Sequence, residues 1–144
     1  MNELDEFRPR LRNWARVYRD RFIRQESNLM PFIRSIMALN PDAVASEPRF
    51  PPDVQDAEFI DLSINEMRKR NSYFAIIYGT LKAEYLTAYS SETYENEDDR
   101  ERAKKTRAKY ARVFPWAYDE TLAQAERMVM EFVKHKEGVY EKLS

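Results

Sequence analysis

Leu4, Phe7, Leu11, Trp14, Tyr18 and Phe22 recur at steps of three or four residues, the spacing that lines one face of an amphipathic helix. Pro9 is expected in the first turn of this helix, where its missing N–H costs nothing. The same spacing returns in Val54, Ala57, Ile60, Ile64 and Met67, and in Phe74, Ile77, Tyr78, Leu81, Tyr85 and Ala88. It returns once more in Tyr118, Leu122, Ala125, Val129 and Phe132. No strand-like alternation and no internal repeat breaks this habit, so the expected fold is all-α: a compact helical domain of about five to six helices.

Breaks and charges set the boundaries. Met30-Pro31-Phe32 is read as the start of a short helix that runs through Ala38. Pro41, Pro48, Pro51 and Pro52 make Asn40 to Pro52 a surface connection, because each proline fixes its own dihedral and turns the preceding residue away from helix. Asp53, Asp56 and Glu58 then suit the positive end of a helix dipole, and Arg68-Lys69-Arg70 suits the other end. Ser72 to Tyr89 reads as another helix or a bent extension, with Gly79 inside it. Between Glu95 and Arg112 acids give way to bases, again along a dipole, and that helix is expected to end near Val113. Pro115 fits the first turn of the last helix. The chain of 144 residues is read as one domain: N-terminal basic and aromatic helices over 1–39, the proline-rich connection over 40–52, and a helical core over 53–144.

Composition narrows the chemistry. Aromatic residues make up 13% of the chain, enough for a packed interior although 34% of residues are charged. There is no cysteine and a single histidine, which excludes disulfides and thiolate metal sites and leaves almost no imidazole for acid–base work. Glu131 and His135 do not have the Glu-x-x-His spacing of di-iron helices, and Gly79-Thr80-Leu81-Lys82 lacks the spaced glycines of a phosphate loop. The expectation is no catalytic residue, no metal, no cofactor and no small-molecule substrate. No stretch approaches the roughly 20 apolar residues of a spanning helix, and the N-terminus lacks an apolar leader, so the expected setting is the cytoplasm with no membrane partner.

With 24 Lys+Arg against 25 Asp+Glu the net charge is -1, so affinity for nucleic acid must come from local clusters. Two stand out. Arg8, Arg10, Arg12, Arg16 and Arg19, continued by Arg21 and Arg24, share the first helix with Asp20 and are interleaved with Trp14 and Tyr18. They suit nucleic-acid phosphates, cation–π stacking or an acidic polymerase surface; equally, they suit a solvated face whose aromatics are core. The second cluster is Lys104, Lys105, Arg107, Lys109 and Arg112, followed by the break at Phe114-Pro115 and a striped helix. A short helix, a break and a second helix with a free N-terminus are the parts of a helix-turn-helix, here near 98–134.

Val113-Phe114-Pro115-Trp116-Ala117-Tyr118, followed by Leu122 and Ala125, resembles the C-terminal helix-turn-helix of sigma-region-4-like proteins, with Ala108 where those proteins place a small residue in the first helix. The position they usually give to glycine is Arg112 here. Upstream, Asn13-Trp14-Ala15-Arg16, the proline-rich link, the run Ile64 to Met67 and Tyr85 before a serine-containing turn are similar to the layout of phage late-gene antitermination proteins of the Q type. Without zinc-binding cysteines, the likeness is to the cysteine-free group typified by the phage 21 protein. Tyr94 to Lys105 stands as an insertion against that layout.

The resemblance implies a protein that binds double-stranded DNA near a late promoter, loads onto bacterial RNA polymerase while the sigma factor is bound, and lets it read through terminators. On this reading Arg107, Lys109 and Arg112 contact phosphates. Trp116, Ala117, Glu120, Thr121 and Gln124, with Arg127, face the groove, unless Trp116 is core and the rest is solvated surface. Two other readings stand beside it: a DNA-binding regulator that does not alter elongation, and a helical protein-interaction inhibitor of a host complex.

Overall fold

The computed structural model describes residues 2–25, 51–86 and 96–143. The chain is an all-α compact domain of five helices, with no strand among the described residues: α1 (Glu3–Gln25), α2 (Val54–Arg70), α3 (Ser72–Tyr85), α4 (Glu97–Ala111) and α5 (Tyr118–Leu143). A 3-10 turn, Pro115–Ala117, leads into α5. The helix expected from Met30 to Ala38 and most of the proline-rich connection lie outside the described residues.

The helix ends follow their capping residues. The Asn2 side chain accepts from Asp5 N–H at 2.8 Å and starts α1. Pro9 therefore lies beyond the first turn rather than within it, on the exposed side of the helix. Asp53 caps α2 by accepting from Asp56 N–H at 3.0 Å. Asn71 ends α2 and begins α3: its own N–H reaches the Met67 carbonyl at 2.8 Å, and its side chain accepts from Phe74 N–H at 3.0 Å. The two stripes predicted on either side of it are thus separate helices meeting at one extended residue.

The main core joins α1, α2, α3 and α5 through Leu4, Phe7, Leu11, Trp14, Ile60, Ile64, Phe74, Leu81, Val129 and Val133. All but Val133 are stripe residues, while the stripe residue Val54 is exposed at the start of α2. A second, smaller cluster of Ala83, Ala108 and Tyr118 joins α3, α4 and α5, and Leu122 touches both clusters. Gly79 on α3 lets the end of α4 come close: a methyl group there would lie 3.4 Å from the Ala111 Cα.

Polar side chains of α1 tie the bundle together. The Asn13 carboxamide donates to the Asp53 carbonyl at 2.8 Å and accepts from Asp53 N–H at 2.9 Å, while Trp14 Nε1 donates to Asp61 at 3.0 Å. Arg10 grips Asp56 with two hydrogen bonds of 3.2 and 2.8 Å and reaches Glu137 at 3.1 Å. Arg8 does the same to Glu126 on α5, with both bonds at 3.2 Å. Glu126 is buried and also accepts the Tyr85 hydroxyl at 2.5 Å. Burial, and then the charge of Glu126, push the Tyr85 phenol well above its ordinary value, so it stays a donor.

Removing one partner of such a pair leaves a buried charge uncompensated, which costs about 3 kcal/mol. Arg8→Ala should therefore lower the unfolding free energy in urea by about that amount, whereas Arg12→Ala, at an exposed position, should change it by less than about 0.5 kcal/mol. Equal, small effects of the two substitutions would contradict the clamp.

Candidate nucleic-acid interface

α4 closes with two crossed backbone bonds: Val113 N–H reaches the Ala108 carbonyl at 3.0 Å and Arg112 N–H reaches the Lys109 carbonyl at 3.2 Å. This is a Schellman ending, and its pivot needs a left-handed residue. Arg112 supplies it, with φ 61° and ψ 40°. Arg112 thus takes the backbone conformation that the glycine of a helix-turn-helix turn would take. Val113 folds back onto the cluster of Ala83, Ala108 and Tyr118, the apolar contact that accompanies such an ending.

Past the turn, Phe114 is extended and Pro115 opens the 3-10 turn, closed by Ala117 N–H on the Phe114 carbonyl at 2.9 Å. Tyr118 then plunges into the small core. Its hydroxyl lies 3.2 Å from Glu84 on α3, the same carboxylate that lies 3.6 Å from the Arg107 guanidinium on α4. Burial, followed by the charge of Glu84, raises the Tyr118 phenol well above its ordinary value. Lys104 adds a surface tie to Asp119 at 2.8 Å, and that bond raises the Lys104 pKa. The two arms of the corner are thus both fastened to α3.

Arg107 is a correction to the sequence reading. It is 2% exposed and turned toward Glu84, so it holds the corner together and presents nothing to a phosphate. Lys109 and Arg112 are exposed, and so is Lys105 one turn behind Lys109. Among the described residues none of these three, nor the exposed Arg127, has an ion-pair partner. The earlier cations of α4 do: Arg100 with Glu97, Arg102 with Asp99, Lys104 with Glu101 and Asp119. The helix neutralises its own first half and leaves a cationic strip at its C-terminal half.

On the second arm Trp116 is not core: it is 81% exposed and stacks on Phe114, itself 68% exposed, with ring centroids 5.7 Å apart and planes 13° from parallel. Glu120 is exposed and Ala117 half-buried. The half-buried Thr121 hydroxyl donates to the Ala117 carbonyl at 2.8 Å, leaving mainly its methyl for contact. Gln124 is exposed, with its carbonyl oxygen taken by the Tyr73 hydroxyl at 2.6 Å and its amide hydrogens pointing elsewhere. Phe114 and Tyr73 are members of this surface that sequence reasoning missed; the aromatic-proline-aromatic triplet was the available signal for the first.

The arginines of α1 make a second correction. Arg8 and Arg10 are spent on carboxylates of α5 and α2, and the buried Arg19 donates to the Tyr85 carbonyl at 2.8 Å. These three fasten α1 to its neighbours, Arg19 from a buried position and Arg8 and Arg10 from half-buried ones. Arg16 is half-buried, and Arg12 alone of the five is exposed.

No three His, Asp or Glu side chains converge as metal ligands among the described residues, and no helix among them is long and apolar enough to cross a membrane. No family model, curated protein or solved structure matches the chain.

Two outcomes follow from the corner. A left-handed conformation costs a non-glycine residue roughly 1–2 kcal/mol, part of which glycine returns through its own chain entropy. Arg112→Gly should therefore hold or raise the unfolding free energy, and Arg112→Val should lower it by about 1 kcal/mol or more; the reverse order in urea melts would refute the strained pivot. The Tyr118 phenol titrates at 10.0 in the unfolded chain and well above that when folded. Its contribution is complete below pH 10.0 and is lost as pH climbs toward the folded value, because only the unfolded chain releases the proton. Tyr118→Phe should flatten the fall in stability between about pH 9 and about pH 11; an unchanged slope would contradict it.

Proposed function

We propose that the protein is a DNA-binding phage transcription factor that acts as a late-gene antiterminator, docking promoter-proximal DNA through the α4–α5 corner. The observation that carries the DNA-binding part is the corner itself: a left-handed turn between two helices, an unpaired cationic strip on the first, and a solvent-facing N-terminus on the second. In a helix-turn-helix the first helix rides the backbone and the start of the second enters the major groove. Lys105, Lys109 and Arg112 fit phosphate contacts, which fix register without reading sequence. Ala117 in the 3-10 turn and Glu120, Thr121 and Gln124, with Arg127, on α5 make up the groove-facing side. The Gln124 amide hydrogens suit base acceptors, the Glu120 carboxylate suits the amino group of cytosine, and the Thr121 methyl suits that of thymine.

The antitermination part rests on the likeness of the chain's layout to Q-type proteins. Its partners on that reading are double-stranded DNA and bacterial RNA polymerase with bound sigma factor. With Arg8, Arg10 and Arg19 turned inward, a polymerase contact on α1 would fall to Arg12 and the exposed Arg21.

The experiment is transcription with purified polymerase and sigma on a late promoter followed by a strong terminator, with and without the protein. Readthrough that depends on promoter-proximal DNA is expected, and its loss in the Lys109→Ala, Arg112→Ala double variant. In duplex binding, each of these substitutions should reduce the slope of log affinity against log salt by about 1. Specific binding without readthrough would make the protein a regulator that leaves elongation alone, and no duplex binding at low salt would favour a protein-interaction inhibitor.

A further inference from the structure

The stacked pair of Phe114 and Trp116 is hard to place in an intact groove. A base-paired duplex buries the faces of its bases against one another and offers only their edges. A ring that is 81% exposed and nearly parallel to its exposed neighbour Phe114 instead leaves most of its flat surface open to solvent. The partner with the matching chemistry is a third flat aromatic surface, and an unpaired nucleobase offers one with no sequence requirement.

Charge decides between a base and an apolar protein side chain. Lys105 and Lys109 stand one turn apart on α4, and Arg112, at its left-handed end, precedes Phe114 by two residues. All three are exposed and have no ion-pair partner among the described residues. Of the two acids that follow, Asp119 is held by Lys104 at 2.8 Å, which leaves Glu120 as one exposed carboxylate against three cations. A cationic track ending in an aromatic platform is the construction used to hold a single strand by its phosphates and its bases together.

We propose that Phe114 and Trp116 form a stacking platform for an unpaired base of a single strand whose phosphates lie along Lys105, Lys109 and Arg112. The inference rests on the nucleic-acid reading above and extends it from duplex to opened DNA or to RNA.

Trp116 reports on itself, because the chain has two tryptophans and the other, Trp14, is buried. The test uses the full chain with oligo(dT) and oligo(U) of about 15 nucleotides, within the span of single-strand sites, and a blunt duplex of equal length. Single strands should quench the Trp116 emission. Trp116→Ala should weaken their binding about tenfold or more and duplex binding less than about twofold, while Trp116→Phe keeps most of the affinity. The relative strength of dT and U binding tells whether opened DNA or RNA is the source. Since Trp116 is exposed, Trp116→Ala should retain the helical circular dichroism of the parent.

Equal losses on duplex and single strand would overturn the platform. So would duplex binding accompanied by single-strand binding indifferent to Trp116, which would leave the DNA-binding reading intact. An absence of binding to either form at low salt would overturn both. Emission that responds to polymerase but to no oligonucleotide would replace the base with a protein contact and overturn the proposal.

Discussion

Two neighbouring residues at the end of α3, Glu84 and Tyr85, hold the molecule on both sides. Tyr85 reaches into the main core and, with Arg8, satisfies the buried Glu126 of α5. Glu84 looks toward the smaller cluster, where it meets the Tyr118 hydroxyl of α5 and the Arg107 guanidinium of α4. Successive helix positions point about 100° apart, so one turn of α3 faces both sides at once. The small cluster of Ala83, Ala108 and Tyr118 seats α4, and Glu84 joins both arms of the corner through Tyr118 and Arg107.

This arrangement also sorts the charges. The near balance of acids and bases hides the fact that, among the described residues, several cations are already engaged within the fold. Arg8, Arg10 and Arg19 pin α1 to its neighbours, Arg107 lines an interior contact, and Lys104 ties α4 to the start of α5. What remains at the corner is a short strip ending at a strained Arg112 and an open aromatic stack. Such a remainder is chemically distinctive because it sits on a rigid support, as a recognition surface must.

Much of this was legible in the sequence and some was not, for identifiable reasons. Periodicity placed four of the five helices and the acid-to-base gradient placed α4, while the division of α2 from α3 was left open and is made by Asn71, which caps in both directions. Periodicity reports which side chains share a face, but not what lies opposite. Arg107 sits four residues after the buried Ala103 and beside the buried Ala108, on a face whose only apolar signal was small alanines, so it read as part of a cationic run. The arginines of α1 read as a surface for the same reason: apart from Asp5 beside Arg8, their carboxylate partners come from residues 46 to 127 positions away in the chain. Trp116 lies in a 3-10 turn outside any helical period, where sequence gave no means of telling core from surface. Arg112 read as a departure from the glycine expected at the turn, and it takes the left-handed conformation itself.

On the proposed reading, nucleic acid meets this protein at the α4–α5 corner and not along α1. The decisive measurement is amide hydrogen exchange of the whole chain, followed by mass spectrometry, with and without a mixed-sequence duplex at low salt. Slowed exchange confined to residues 105–127, with the exchange of α1 unchanged, is the expected result. Protection along α1 with an unaltered corner would contradict it.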